Sequence, residues 1–129
     1  MRQSKRVFVR TLAAAAVLGA LAAPAAAQKG PVKIGVLATL EGPFAAGGAD
    51  GMRGAELAVI HRGGTVAGRK IEIIKASSDA KPDVAVNAAR KLVEQDKVDV
   101  LVGPLSGGEG IAGKDYSKTQ PQVTFINGA

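Results

Sequence analysis

The sequence predicts an α/β fold, a doubly wound parallel sheet with helices on both faces, and three observations carry that expectation. Short β-branched runs recur along the chain, stretches with helical spacing of apolar residues separate them, and glycine-rich segments follow the ends of the runs. A β-α-β-α-β-α-β order of this kind implies parallel strands joined by right-handed crossovers.

The first 27 residues stand apart from that pattern. Arg2, Lys5, Arg6 and Arg10 make a basic n-region, Leu12 to Ala23 an apolar stretch, and Ala25-Ala26-Ala27 a small-residue cleavage site. Together they read as a removable secretory signal, with the mature protein expected to start near Gln28 and to work in the periplasm. The apolar stretch is too short to span a bilayer and is followed by Pro24, so no stable membrane insertion is expected after cleavage. Ser4 to Arg10 resembles the twin-arginine export motif with lysine for the first arginine; the general secretory route is the expectation. With no cysteine near the cleavage site, a lipid-anchored form is excluded.

The signal also distorts the charge balance. The chain has 17 Lys and Arg against 11 Asp and Glu, a net charge of +6. Four of the basic residues lie in the n-region, leaving 13 against 11, or +2, in the mature part. No basic run with interleaved aromatics survives there, so no nucleic-acid partner is expected. The absence of cysteine removes disulfides, thiolate catalysis and the usual structural zinc sites. The single histidine, His61, has no partners for a triad or a multi-histidine metal site, and reads as a partly exposed residue near a helix end. Neither enzymatic chemistry nor a cofactor is expected.

About 100 residues remain after the signal, enough for one small domain with a core. Gln28 to Pro31 is a short leader. Val32 to Ala38 is the first predicted strand. Asp50 to Arg62 follows as a helix with Met52, Ala55, Ala58 and Val59 on one stripe; Leu57 and Ile60 fall outside it, which suggests a helix covered on two sides. Gly63-Gly64 stops it, and Val66-Ala67-Gly68-Arg69 turns the chain into the second strand, Lys70 to Ala76. Gly54 is expected to permit close packing of the helix on the sheet. Arg53 and Glu56 read as its solvated face.

Pro82 to Gln95 is the clearest helix. Val84, Ala85, Ala88, Ala89, Leu92 and Val93 lie on one side, Pro82 suits the first helical position, and Asp83 sits at the positive end of the dipole. Lys81 before it is a poor cap. Val98 to Val102 is the third strand, Glu109 to Gln120 a glycine-interrupted helix in which Tyr116 reads as a packing residue, and Val123 to Ile126 the fourth strand.

Open sheets of this type bind ligands outside the carboxyl ends of their strands, at the switch point of the strand order. That points to three loops: Thr39 to Gly48, containing Phe44; Gly103 to Gly108; and Asn127-Gly128-Ala129. The middle loop, small and leading into a helix, offers unpaired N–H groups and a positive dipole end to a carboxylate or phosphate. Ser106 reads there either as a hydroxyl donor to such a ligand or as a helix N-cap. The segment is not a P-loop, since no Gly-Lys-Ser/Thr follows. The loop at Thr39 to Gly48 lacks G-x-G-x-x-G spacing and Asp79 alone is a weak ribose partner, so the nucleotide-binding and enzyme alternatives lack their fingerprint.

One resemblance covers essentially all of the mature stretch, in order. It is carried by Val32-Lys33-Ile34-Gly35-Val36, Gly42-Pro43-Phe44, Gly51 to Ala58, Val66 to Glu72, Ser78 to Pro82, Ala88 to Val93, Val100 to Pro104 and Phe125 to Gly128. In these residues the chain resembles the N-terminal part of a periplasmic substrate-binding protein of the leucine/branched-chain amino acid family, which serves ATP-driven importers. The resemblance implies a partial N-terminal lobe of a type I periplasmic-binding-protein fold, a ligand cleft between two lobes, and a membrane permease of an ABC transporter as partner. It implies an amino acid or small carboxylic acid as ligand. By position it assigns ligand contacts to Ser106 and Gly107 in the loop after the third strand, to Asn127, Gly128 and Ala129 after the fourth, and to Phe44 on the ligand's apolar part. The Phe-Ile-Asn-Gly ending resembles members that bind aromatic or other carboxylic acids as much as those that bind leucine. A ligand-sensing domain of a receptor has the same lineage. Ending at Ala129, the chain reads as an N-terminal fragment, expected to be marginally stable, prone to associate and unable to bind ligand tightly.

Overall fold

The structure, a computed structural model, describes residues 30–128; the segment read as an export signal, Gln28, Lys29 and Ala129 lie outside the described residues. A five-stranded sheet has the order β2-β3-β1-β4-β5. Its members are β1 (Val32–Thr39), β2 (Thr65–Val66), β3 (Arg69–Ser78), β4 (Val100–Val102) and β5 (Thr124–Ile126). β1 pairs in parallel with β3 along its whole length, Val32 with Ile71 through Thr39 with Ser78, and on its other side with β4. β5 adds in parallel to β4.

β1 is the central strand, which is why Gly35 to Thr39 form a continuous buried run instead of a half-polar alternation. Its side chains divide by the two-residue period. Val36 and Ala38 point to one face, where Met52 of α1 (Ala45–His61) packs on them with Ile34, Leu40, Ala55 and Ile73 around it. Leu37 points to the other face, into a cluster with Ala85, Ala89, Leu92, Val93, Val98, Leu101 and Tyr116. That cluster is supplied by α2 (Pro82–Arg90), the π-turn Lys91–Gln95 that continues it, and α3 (Gly107–Ser117). Helices on both faces of a mainly parallel sheet are the doubly wound arrangement expected from the sequence.

Several elements differ from expectation at their ends. The chain forms a 3-10 turn at Gly42–Phe44 and α1 begins at Ala45, five residues before the expected start. α1 ends in a Schellman motif: the N–H groups of Gly63 and Gly64, with φ of 75° and 69°, bond to Ile60 O and Val59 O at 2.9 Å each. The turn at Ala67-Gly68, with φ of 50° and 75°, closes a hairpin in which Thr65 and Val66 pair antiparallel with Lys70 and Arg69, adding the unforeseen strand β2. Leu57 and Ile60 are 50% and 69% exposed, so α1 is covered on its sheet side only. Gly54 also faces open space: a Cβ there would meet nothing within 4 Å, and the expected close packing is made by Gly48 instead.

Tyr116 joins the two helices of the lower layer. Its hydroxyl donates to Glu94 Oε1 at 3.1 Å, its ring meets Phe125 edge-on at 6.0 Å, and the Arg90 guanidinium lies 5.7 Å from its centroid. Burial first, and then the hydrogen bond and charge of Glu94, push its pKa from 10.0 up to about 12. A hydroxyl whose folded pKa is raised contributes stability that is fully present below pH 10 and lost as pH climbs through about 12. Wild type is therefore expected to lose on the order of 2–3 kcal/mol at most across that interval, at 1.36 kcal/mol per pKa unit. Urea midpoints between pH 9 and pH 12 check it: Tyr116→Phe should start about 1 kcal/mol less stable and lose this component of the pH dependence. Parallel curves for the two proteins would contradict the assignment.

Candidate functional site

From β1 the chain steps through α1 to β3 on one side, and the later strand β4 lies on β1's other side. The switch point is therefore between β1 and β4, where neighbouring loops leave toward opposite faces and open a crevice. The carboxyl ends found there are Thr39, Ser78 and the segment from Gly103.

Gly103 leaves β4 with φ of 114° and donates its N–H to Ile126 O at 3.0 Å, which ties the exits of β4 and β5 together. Ser106 then caps α3. Its side-chain oxygen accepts from Glu109 N at 3.4 Å and donates to Glu109 Oε2 at 2.8 Å, closing a capping box. Glu109 Oε2 also accepts from Ser106 N at 3.4 Å and from Thr39 Oγ1 at 3.0 Å, and Thr39 Oγ1 in turn accepts from Ser78 Oγ at 3.3 Å. Thr39, Ser78 and Glu109 are all buried.

This network decides what Ser106 can offer. A serine hydroxyl has one proton, and here it goes inward to Glu109, so in this arrangement the side chain is a cap and has no proton left for an anion. The first-turn N–H groups of Gly107 and Gly108 have no partner among the described residues, and both glycines are exposed. They sit at the positive end of α3, a natural place for a carboxylate.

Of the other sequence-assigned residues, Asn127, Gly128 and Phe44 lie at the same end of the sheet. Asn127 Nδ2 donates to Gly110 O at 3.2 Å, laying the loop after β5 on the first turns of α3. Gly128 abuts the middle loop closely: a Cβ on it would be 3.1 Å from Pro104 O. On the α1 side, Gly47 faces Leu105 and Gly48 rides on the Thr39 backbone, so Phe44, at the N-cap of α1 and 51% exposed, belongs to this end too. Two cavities flank the middle loop. One of about 200 Å³ lies between Gly47, Gly51, Pro104, Leu105 and Gly128; the other, about 210 Å³ and on the opposite face, has Leu101 and Phe125 in its floor and Lys114 and Asn127 in its wall. Phe44, Ser106 and Gly107 line neither. A polar hollow of about 380 Å³ with Lys97, Asp99, Gln120 and Gln122 lies at the amino ends of the strands, away from the switch point.

Thr39 and Glu109 were not among the residues assigned from sequence. The signal was present in Ser106-Gly107-Gly108-Glu109, whose S-x-x-E spacing is that of a capping box. Beside the crevice, Lys81 Nζ meets Asp79 Oδ2 at 2.6 Å, and this hydrogen bond lowers the Asp79 pKa and raises that of Lys81. Asp79 Oδ1 also accepts from Lys81 N at 3.1 Å, so Asp79 supplies the fixing that Lys81 cannot give as cap of α2. Among the described residues, no group of three or more His, Cys, Asp or Glu side chains could hold a metal ion.

Comparison with known proteins places this geometry in context. The family model for periplasmic binding proteins matches residues 31–129. The Leu/Ile/Val-binding protein homolog 7 of Brucella abortus (strain 2308) is 34% identical over 116 residues, 88% of this chain and 28% of the relative. The chain thus spans little more than a quarter of that relative's length. Among solved structures, the branched-chain amino acid transporter substrate-binding protein LivJ of Streptococcus pneumoniae, in complex with isoleucine, superposes with a TM-score of 0.69 at 30% identity, covering 75% of this chain and 28% of that one. An R. palustris solute-binding protein of an ABC transporter, in complex with benzoate, gives 0.69 at 31% identity, over 75% and 27% of the two chains. Family match, sequence relatives and fold agree over the same stretch, and the chain belongs to the periplasmic binding protein family.

Proposed function

We propose that this chain supplies part of the N-terminal lobe of an extracytoplasmic substrate-binding protein for an ABC importer, and that this part holds the carboxylate of a small ligand. The observation that carries the reading is the pair of exposed first-turn N–H groups of Gly107 and Gly108 beside the switch point, without a partner among the described residues, in a chain of this family. Ser106 and Glu109 fix that turn. Asn127 and Gly128 edge the ligand from the neighbouring loop, the family resemblance adds Ala129, and Phe44 offers an exposed ring to its apolar part.

The ligand class is branched-chain or related amino acids, with aromatic carboxylic acids as the second reading; relatives with bound isoleucine and with bound benzoate match this lobe equally well. Glu109, in the first turn of α3, is buried and turned to its own network, and Asp79 is paired with Lys81; the partner of a ligand ammonium is assigned to the opposing lobe, as the family resemblance implies. Contacts from both lobes favour a closed state, and a permease that recognises this state reads occupancy without bond chemistry.

Ligand-observed saturation-transfer NMR, which detects weak binding to a single lobe, tests the reading with benzoate, L-isoleucine and isobutylamine as probes. Both acids should show transfer and the amine, which has no carboxylate, should not. Transfer to the amine alone, or to none of the three, would overturn it.

A further inference from the structure

Glu109 is 0% exposed, and its Oε1 has no hydrogen-bond partner among the described residues. Burying a carboxylate with one oxygen unpaired carries a desolvation cost that the hydrogen bonds to its other oxygen must offset.

Its other oxygen does something no apolar residue could. Oε2 accepts from Ser106 Oγ at 2.8 Å, from Ser106 N at 3.4 Å and from Thr39 Oγ1 at 3.0 Å, and Thr39 accepts from Ser78. A single atom thus joins the ends of β1 and β3 to the start of α3, the three segments that meet beside the switch point.

We propose that Glu109 is a positioning residue for the ligand site: it clamps the first turn of α3 onto the end of β1 so that the Gly107 and Gly108 N–H groups face the crevice. By taking the Ser106 proton it also leaves recognition of an anionic ligand to the main chain. This inference rests on the carboxylate reading above. Glutamine, which also completes a capping box at this helix position, keeps the clamp and removes a negative charge from beside the ligand.

The test uses the full chain as wild type and as Glu109→Gln, Glu109→Leu and Thr39→Val. It reads the melting temperature, amide hydrogen exchange, and NMR affinity for benzoate and L-isoleucine. Glu109→Leu leaves the Thr39 hydroxyl and the Ser106 N–H without their acceptor and should melt about 4–8 °C below wild type, the shift of a loss of about 1 kcal/mol. Exchange at positions 109 and 110 should be about fivefold to tenfold faster still than the change seen at the β1 and β3 amides, because the first turn is freed locally. Affinity should fall about tenfold, and Glu109→Gln should hold both affinity and exchange within about threefold of wild type. Thr39→Val, which deletes one donor from outside the helix, should show the same local split at about threefold. Unchanged affinity and exchange in Glu109→Leu would overturn the proposal. So would a loss of protection throughout the sheet that Glu109→Gln fails to restore. If wild type binds neither acid the carboxylate reading fails, whereas the exchange comparison still decides whether Glu109 clamps the turn.

Discussion

Gly103→Ala is expected to leave the chain without a cooperative melt at 25 °C. Two independent effects act at this position. Its φ of 114° lies where side chains are strained by about 1–3 kcal/mol. A Cβ would also stand 2.0 Å from Leu37 O and 3.0 Å from Leu37 C, backbone atoms of the central strand that cannot swing aside. Relief requires β4 to separate from β1 or the exit from β4 to rotate, and overpacking of this kind adds about 1–3 kcal/mol or more. A domain of this size holds only about 5–15 kcal/mol in total, toward the low end where Leu57, Ile60, Ile111 and Ile126 remain exposed. Circular dichroism during heating checks the outcome: a transition within 3 °C of wild type would mean that Gly103 is not the close contact described.

Gly48→Ala is the second large effect, with a different origin. Gly48 is helical, so its conformation suits alanine, but a Cβ would lie 1.8 Å from Thr39 O and 2.5 Å from Thr39 C. The first turn of α1 rests directly on the end of β1. Adding one methyl pushes the helix off the strand, exposes Met52, Val36 and Ala38, and shifts Phe44 relative to the middle loop. A loss of roughly 3 kcal/mol or more is expected, from overpacking plus partial exposure of that cluster. Gly54→Ala is the control on the same helix. With nothing within 4 Å of its Cβ, it should gain about 0.5–1 kcal/mol from helix propensity alone. Urea midpoints for the two variants should move in opposite directions; a Gly48→Ala protein as stable as Gly54→Ala would remove the helix–strand contact from this account.

These two glycines also show where the sequence was readable. β1 and β3 were legible because Val32 to Ala38 and Lys70 to Ala76 are β-branched runs of strand length, and α2 because its apolar residues keep helical period behind Pro82. The start of α1 was not, since Ala45-Ala46-Gly47-Gly48 reads as a flexible loop; only the approach of Gly48 to Thr39, a long-range fact, explains a glycine inside that first turn. β2 escaped for a similar reason, being two residues long and defined by its partner Arg69-Lys70 instead of its own composition. In the site, position was easier to read than chemistry. The alternation located the carboxyl-end loops, and of the residues the family resemblance named, Phe44, Ser106, Gly107, Asn127 and Gly128 lie at that end, while Ala129 is outside the described residues. The direction of the Ser106 proton depended on Glu109 and on Thr39, which is 70 residues away in sequence from that glutamate, so no local pattern could fix it.

The claim beneath the functional reading is that ligand recognition uses main-chain donors at the carboxyl ends of the strands. Mapping backbone amide chemical shifts while titrating benzoate, and then L-isoleucine, measures this directly. The account predicts shifts concentrated at Gly107 and Gly108, with smaller ones at Phe44, Asn127 and Gly128. Shifts centred on Lys97, Gln120 and Gln122 at the other end of the sheet, with Gly107 and Gly108 unmoved, would contradict it.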